Sequence, residues 1–397
     1  MNQNSKQRIG LVLPNIPAYS ETFFNSKIKG LQESGFEVVL FSKSKSNTKH
    51  PNCKTVFAPN FTVRPKLVIE LVLIIWQCLM HPNNAFSLFQ LNRKEGLSIK
   101  NAVKNSCINS YFFSYQLDWL HFGFGTMALK SEHVADAIQA KMAVSFRGFD
   151  FYVYPEKNPK CYDLLFSKIV QYHVLSEKMK MTLIQAGIRA TTIFKITPAI
   201  DVHFFEPVER KVNQPIKKFL TIGRLHWIKG LEYTLEAFAV LKKQGIPFHY
   251  TIIGDGIEKE KLMFAVHQLG LQDNVTFTGK ISHQEVKDYY VKNDFYLQYS
   301  IQEGFGNAVL EAQVMGLLCI VSDADGLEEN IIDTQTGFVV PKRNSKLLVA
   351  KIVEVLKLTE TEKINIIDRS VARIKTSFTL EKQREQFVNF YVDTSIL

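Results

Sequence analysis

Seven residues separate two carboxylates, Glu303 and Glu311, in the stretch EGFGNAVLEA, and a Gly-Phe-Gly turn and a short apolar run lie between them. Gly304 and Gly306 let a backbone approach a ligand closely, and Asn307 opens a helix whose first N–H groups attract phosphate. Glu311 falls inside that helix, near its start. A carboxylate there can accept hydrogen bonds from ribose hydroxyls, while Glu303, before the turn, can reach the hydroxyls of a sugar. A nucleotide-sugar carries polyol groups on both sides of its diphosphate, so acids flanking an anion-binding turn suit it. Taken alone, Glu311 is read more simply as an acid stabilised by the helix dipole.

Three other stretches fit the same ligand. In GRLHWIKG, Arg224 offers a planar fork and Lys229 a point charge to a diphosphate. Cations at a helix N-terminus oppose its dipole, and an anion removes that conflict. Gly254 ends an apolar run in a tight IIGDG turn, and FTGKISHQEV places Lys280 at a strand edge where a base could lie. These last two carry little by themselves.

The elements that must position these residues follow from the apolar pattern. RIGLVLP, FEVVLFS, LDWLHFGFG, AKMAVSFRG, KIVQYHVLS and TTIFKITPAID read as strands, with GTMALKSEHVADAIQA as one of the helices between them. A polar joint, PVERKVNQPIKK, precedes a restart: KFLTIGRL, HYTIIGDG, VTFTGK, DFYLQYS and LCIVS as strands, with helices between. At 397 residues the chain exceeds one compact core. Two doubly wound α/β domains are therefore expected over residues 1–206 and 207–375, facing a central cleft, with a terminal helix over 376–397.

Charge divides unevenly. Residues 1–200 hold 24 Lys and Arg against 12 Asp and Glu, a balance of +12, and the remainder holds 24 against 26, a balance of −2. No carboxylate occurs from Val38 to Ile69, whereas Lys43, Lys45, Lys49, Lys54, Arg64 and Lys66 do, and an apolar run follows directly to Met80. Basic residues beside an apolar helix suit an anionic membrane surface; a solvated basic loop beside a buried helix is the other reading. Five cysteines without close spacing argue against a disulfide framework and a thiolate zinc site, and suit a reducing cytosol. The N-terminal apolar run is too short for a signal peptide, and no stretch reaches the roughly 20 apolar residues that cross a bilayer.

The C-terminal half resembles the retaining glycosyltransferases of family 4, whose fold is GT-B. The E-x7-E pattern matches Glu303 and Glu311, the diphosphate motif matches Arg224, Lys229 and Gly230, and FTGKISHQEV stands where the base-binding segment does. SDADGLEENI and the GFVVP turn continue the likeness. The resemblance implies that Glu311 binds ribose, that Glu303 contacts the donor sugar, and that the backbone of Phe305, Gly306, Asn307 and Ala308 meets the phosphates. It also implies that the terminal helix crosses back onto the first domain. Asp323 and Asp325 form an Asp-x-Asp, which reads here as a strand-end turn. In the family resembled, cations of the Arg224 and Lys229 type offset the diphosphate charge without a bound metal.

The first half is similar to the colanic acid and exopolysaccharide subgroup. Ser20, Glu21 and Thr22 match its SETF segment, and Ser20 also reads as a helix N-cap. A strand ending His-x-His-Phe-Gly keeps His121 but has Gly123 at the second histidine, and Ser-Phe-Arg-Gly-x-Asp supplies Arg147 and Asp150. Many other family members carry a histidine where Arg147 stands. His121, Arg147 and Asp150 are candidate catalytic residues at strand ends. A structural histidine and a structural ion pair are the competing readings.

Together these features imply a cytoplasmic, peripherally membrane-bound glycosyltransferase. It would take a nucleotide-sugar such as a UDP- or GDP-sugar, use no cofactor, and act on a lipid-linked glycan acceptor. A nucleotide-sugar 2-epimerase of the same fold is an alternative that Glu303 and Glu311 speak against. Nucleic-acid binding, prompted by the basic balance, finds no recognised module.

Overall fold

The computed structural model describes residues 6–17, 22–46, 50–60, 67–207 and 215–392. Two compact units emerge. One comprises Met1–Leu175, Lys180–Ile196 and Arg384–Leu397, and the other Ser176–Met179 and Thr197–Gln383.

The first unit is built on seven parallel strands: β1 (Arg8–Leu13), β2 (Glu37–Ser42), β3 (Lys54–Phe57), β4 (Trp119–Phe122), β5 (Lys141–Ser145), β6 (Val170–Val174) and β7 (Ile193–Lys195). Their order is β3-β2-β1-β4-β5-β6-β7. The second unit carries β8 (Lys217–Ile222), β9 (Phe248–Ile253), β10 (Val275–Gly279), β11 (Phe295–Gln298), β12 (Leu318–Ser322) and β13 (Phe338–Val340), in the order β10-β9-β8-β11-β12-β13. Both sheets are parallel throughout. Central strands such as LCIVS are apolar and buried throughout because parallel strands are covered on both faces. Each sheet reverses its winding once, at β1/β4 and at β8/β11, the doubly wound Rossmann-like arrangement.

Several local expectations change. GTMALKSEHVADAIQA is not one helix: it breaks into Gly125–Ala128 and Val134–Ala137, with Lys130 between them at φ 66°. GFVVP contains a strand, β13, rather than only a turn. β3 was hidden in a short polar segment. The cysteines, distant in sequence, include one neighbouring pair, Cys78 and Cys107, whose thiols interact so that one is easier and the other harder to ionise.

The terminal helix, Leu380–Val392, supplies Phe387, Phe390 and Tyr391 to the core of the first unit, where they meet Ile28, Leu31, Trp119 and Ala143. The Trp119 indole N–H donates to the Tyr391 carbonyl. Behind this apolar contact runs a buried polar chain. His173 Nε2 lies 2.9 Å from the Ile196 carbonyl and must donate to it, which leaves Nδ1 to accept from the Ser145 hydroxyl at 2.7 Å. Ser145 Oγ then accepts from His121 Nε2 at 2.7 Å, and His121 Nδ1 accepts from the Tyr391 hydroxyl. Lys27 Nζ stands 3.5 Å from the same Nδ1 and 4.1 Å from the Phe387 ring centroid. Burial, followed by the field of Lys27, holds both imidazoles neutral, well below their ordinary range.

A base whose pKa falls on folding leaves the unfolded chain to take up protons first, so stability is lost as pH drops below about 6.5. Thermal melts between pH 7.5 and 5 should therefore show a fall in midpoint that is shallower in His173→Gln. Parallel curves for the two proteins would contradict the neutral assignment.

Candidate functional site

The second sheet brings Lys229 and Glu303 into contact, with the Arg224 loop adjoining and Lys280 at the edge strand β10, two strands from β8. β8 and β11 lie side by side at the switch point, and the loops leaving them carry Arg224 and Lys229 on one side and Glu303 to Asn307 on the other. Crevices outside the carboxyl ends of strands at such a reversal are where doubly wound sheets take ligands.

Glycines set the spacing of these loops. A Cβ at Gly230, which sits at φ 61°, would lie 2.2 Å from the Tyr299 carbonyl oxygen. At Gly254, φ 140°, it would lie 1.9 Å from the Gly223 oxygen. Gly254 thus serves to lock the β9 turn against the β8 turn, and its N–H donates to the Gly279 carbonyl at 3.0 Å. Its expected part in binding is indirect: it fixes the floor beneath Arg224.

Lys229 and Glu303 form an ion pair, both side chains largely enclosed. The same Glu303 oxygen accepts from the Gln298 amide at 2.8 Å and from the Ser300 hydroxyl at 3.3 Å. Gln298 is in turn held by the Tyr296 hydroxyl, 2.8 Å from its Oε1. Glu303 was expected to meet a sugar and Lys229 a diphosphate; in this structure they meet each other. Arg224 is exposed beside them, and Lys280 is exposed at the end of β10.

Gly306, at φ 99°, caps the helix Asn307–Val314. Phe305 is buried against Phe378, ring centroids 5.9 Å apart, and its carbonyl accepts from the Asn330 amide. That anchoring leaves the helix start, with Asn307 and Ala308, as the free-standing end where N–H groups lack intrahelical partners. About one turn on, Glu311 accepts from the Tyr290 hydroxyl at 2.9 Å, which also reaches the Ala308 carbonyl at 3.1 Å. Burial pushes the Glu311 carboxyl up to about 7.

Among the described residues no group of three or more His, Cys, Asp or Glu could hold a metal ion. Asp323 accepts from the Lys342 N–H at 2.8 Å, and Asp325 pairs with Lys178 at 3.0 Å. The Asp-x-Asp is therefore a strand-end turn with both acids committed internally.

The first-domain candidates fare differently. His121 is fully buried in the polar chain described above, so it cannot touch a substrate there; its place is a core one. Asp150 is also buried, accepting from the Gly125 N–H at 2.6 Å and the Arg147 N–H at 2.9 Å, and burial raises its carboxyl to about 7. It ties the ends of β4 and β5 together. The Arg147 guanidinium carbon lies over the rings of Phe23 and Phe24, 4.0 and 4.6 Å from their centroids. Ser20, Glu21 and the Thr22 side chain lie outside the described residues. Gln298, Ser300 and Tyr290, which hold the two glutamates, escaped sequence reasoning. A glutamine in the otherwise apolar strand FYLQ was the available signal.

Residues 205–367 match the model of glycosyl transferases group 1. The chain is 24% identical to the putative colanic acid biosynthesis glycosyltransferase WcaL of Escherichia coli, over 94% of this chain and 96% of that protein. It is 28% identical to the amylovoran biosynthesis glycosyltransferase AmsK of Erwinia amylovora, over 67% of each. The chain resembles the GT-B glycosyltransferases of exopolysaccharide synthesis. Among solved structures, a glycosyltransferase from Rickettsia africae superposes with a TM-score of 0.72 at 19% identity, covering 98% of both chains. Anabaena HepE in complex with UDP and glucose gives 0.71 at 14% identity, over 96% of this chain and 98% of that one. These structural likenesses establish the fold.

The raised Glu311 carboxyl gives a test of its surroundings. A folded-state pKa above the ordinary carboxylate value means that ionisation opposes folding, so stability falls as pH rises from about 4.5 to 7. Relative to wild type, Glu311→Gln should gain melting temperature across that window and lose none below it. An equal difference at pH 4.5 and pH 8 would show that the carboxyl is not held in this way.

Proposed function

We propose that the chain is a retaining hexosyltransferase that moves a sugar from a nucleotide-sugar to a lipid-linked glycan. The observation that carries this reading is the convergence, at the β8/β11 reversal, of Lys229, Glu303, Arg224 and the start of the glutamate helix. Arg224, Lys229 and the helix N–H groups would bind the diphosphate, Glu311 the ribose, Lys280 and its strand end the base, and Glu303 the donor sugar. Lys229 would turn from Glu303 toward the incoming phosphates, or bridge both.

In the transfer, the bond from the sugar anomeric carbon to the diphosphate oxygen breaks. A bond to the acceptor hydroxyl forms on the same face, and the hydroxyl proton passes to the departing diphosphate. No protein base is required by that route, which accords with the enclosed positions of His121 and Asp150. The protein would contribute positioning and stabilisation of developing negative charge. A thermal-shift panel of UDP-, GDP- and ADP-sugars should find at least one stabilising donor, as a ligand stabilises the fold it binds. The shift should drop sharply in Arg224→Ala and Glu311→Ala, and NMR of the product should show the donor's anomeric configuration kept. Inverted product, or no shift with any donor at millimolar concentration, would overturn the reading.

The enzyme would work at the cytoplasmic face of a membrane. What supports this is the helix Leu67–Met80, where Val68, Val72, Ile75, Trp76 and Leu79 form one exposed stripe, Trp76 at 58% and Leu79 at 70%. An apolar stripe of this size suits the headgroup boundary of a bilayer. Among the described residues no single helix is long and apolar enough to cross a membrane; this one and Pro82–Lys94 meet the test only together, bent by 97°. The cations contribute less than their number suggests. Lys45 is paired with Glu70, and Lys54 lies over the Tyr115 ring at 4.9 Å. Lys49, Arg64 and Lys66 lie outside the described residues.

Sedimentation with anionic liposomes should therefore fall severalfold when Val72, Trp76 and Leu79 become serine, and less when the six cations from Lys43 to Lys66 are neutralised. Unchanged sedimentation of the triple serine variant would remove the membrane part.

A further inference from the structure

The helix with the exposed stripe has a second face, and that face borders a cavity. Glu70, Ile74 and Gln77, spaced one helical turn apart, line a space of ≈ 510 Å³ against β3 and the turn Ser110–Phe112. That volume lies within the roughly 300–1,000 Å³ of small-molecule sites. It sits on the outermost strand, two strands away from the β1/β4 reversal, and the donor residues all belong to the other unit.

Its chemistry is specific. Ser110 is 1% exposed, lines the cavity, and among the described residues its hydroxyl has no hydrogen-bond partner. A buried hydroxyl without a partner is unfavourable, and a ligand hydroxyl bonded to it would relieve that. Ser114 and Gln77, bonded to each other, offer further polar atoms at the mouth. Tyr111 and Tyr115 present ring surface and are held rigidly by Phe41, centroids 5.9 and 5.2 Å away. Among the described residues the charges lining the space are Lys45 and Glu70, which pair with one another, and Glu70 is 7% exposed. An enclosed carboxylate disfavours phosphate, so a phosphorylated headgroup is a poor match. Hydroxyls, an amide and aromatic faces beside an internally paired lysine and glutamate match a sugar, which shows polar edges and apolar C–H faces.

We propose that this cavity is a second saccharide site, which holds sugar units of the acceptor glycan away from its reacting end. The acceptor part rests on the function proposed above; saccharide binding in the cavity does not. A glycan anchored through lipid at the outer stripe could lay its sugars against the inner face of the same helix. The site would then select acceptors by the identity of their distal sugars.

Saturation-transfer NMR on the full chain, with lactose, maltotriose, cellotriose and chitotriose as probes, tests this. At least one should bind at about 10 mM or below. Ser114→Trp, an exposed position at the mouth, should weaken that binding at least about fivefold, and Gln77→Ala should weaken it as well. Melting temperature and the donor-induced thermal shift should stay as in wild type, which separates this site from the donor site. Failure of every probe to bind, or binding indifferent to both substitutions, would overturn the proposal. Absence of a donor shift alongside cavity-dependent sugar binding would instead sink only the transferase reading.

Discussion

The second domain depends on a short contact: Lys229 against Glu303, across the crevice between β8 and β11. Two opposite charges, largely enclosed, hold two loops together that arrive from different parts of the chain. Enclosed pairs need their remaining hydrogen-bonding capacity filled. Gln298 and Ser300 do this for the carboxylate, and Tyr296 fixes Gln298 in turn. The glycines around them have no freedom to vary. At Gly230, Gly254 and Gly256 a methyl group would collide with a carbonyl oxygen, so the crevice is set by backbone contact rather than by side-chain packing.

The same economy of partners explains the first domain. Its strand ends carry His121, Ser145, His173 and Asp150, residue types that invite a catalytic reading. The structure turns them inward. Each polar atom in the chain from Tyr391 to Ile196 has a donor or acceptor, and the direction of every hydrogen bond follows from one fixed end, the Ile196 carbonyl. Such a chain ties β4, β5 and β6 to the terminal helix more tightly than apolar contact alone.

The doubly wound architecture was legible because parallel strands buried on both faces read as apolar runs, and helices as amphipathic intervals between them. β3, four residues of mixed character, and the break in GTMALKSEHVADAIQA at Lys130 were not, since each depends on contacts remote in sequence. At the site, Arg224, Lys229, Glu303 and Glu311 stood out by type and spacing. The pairing of Lys229 with Glu303 did not, because they lie 74 positions apart in the chain. Nor could sequence tell that His121, at the end of an apolar strand, points into an enclosed network, since a strand end and a sheet interior share the same local pattern. The likeness to WcaL extends along nearly the whole chain, over 94% of it.

The terminal helix gives the first domain a noncontiguous interior. Trp119, His121 and Phe194 all rest on side chains numbered 387 to 391, so a fragment cut after Ile196 would expose an aromatic groove and strand an imidazole without its donor. Synthesis order imposes a wait: the strands of the first sheet are made early, but their covering arrives only with Phe387, Phe390 and Tyr391. Until then, the nascent protein must shelter that groove by some other means.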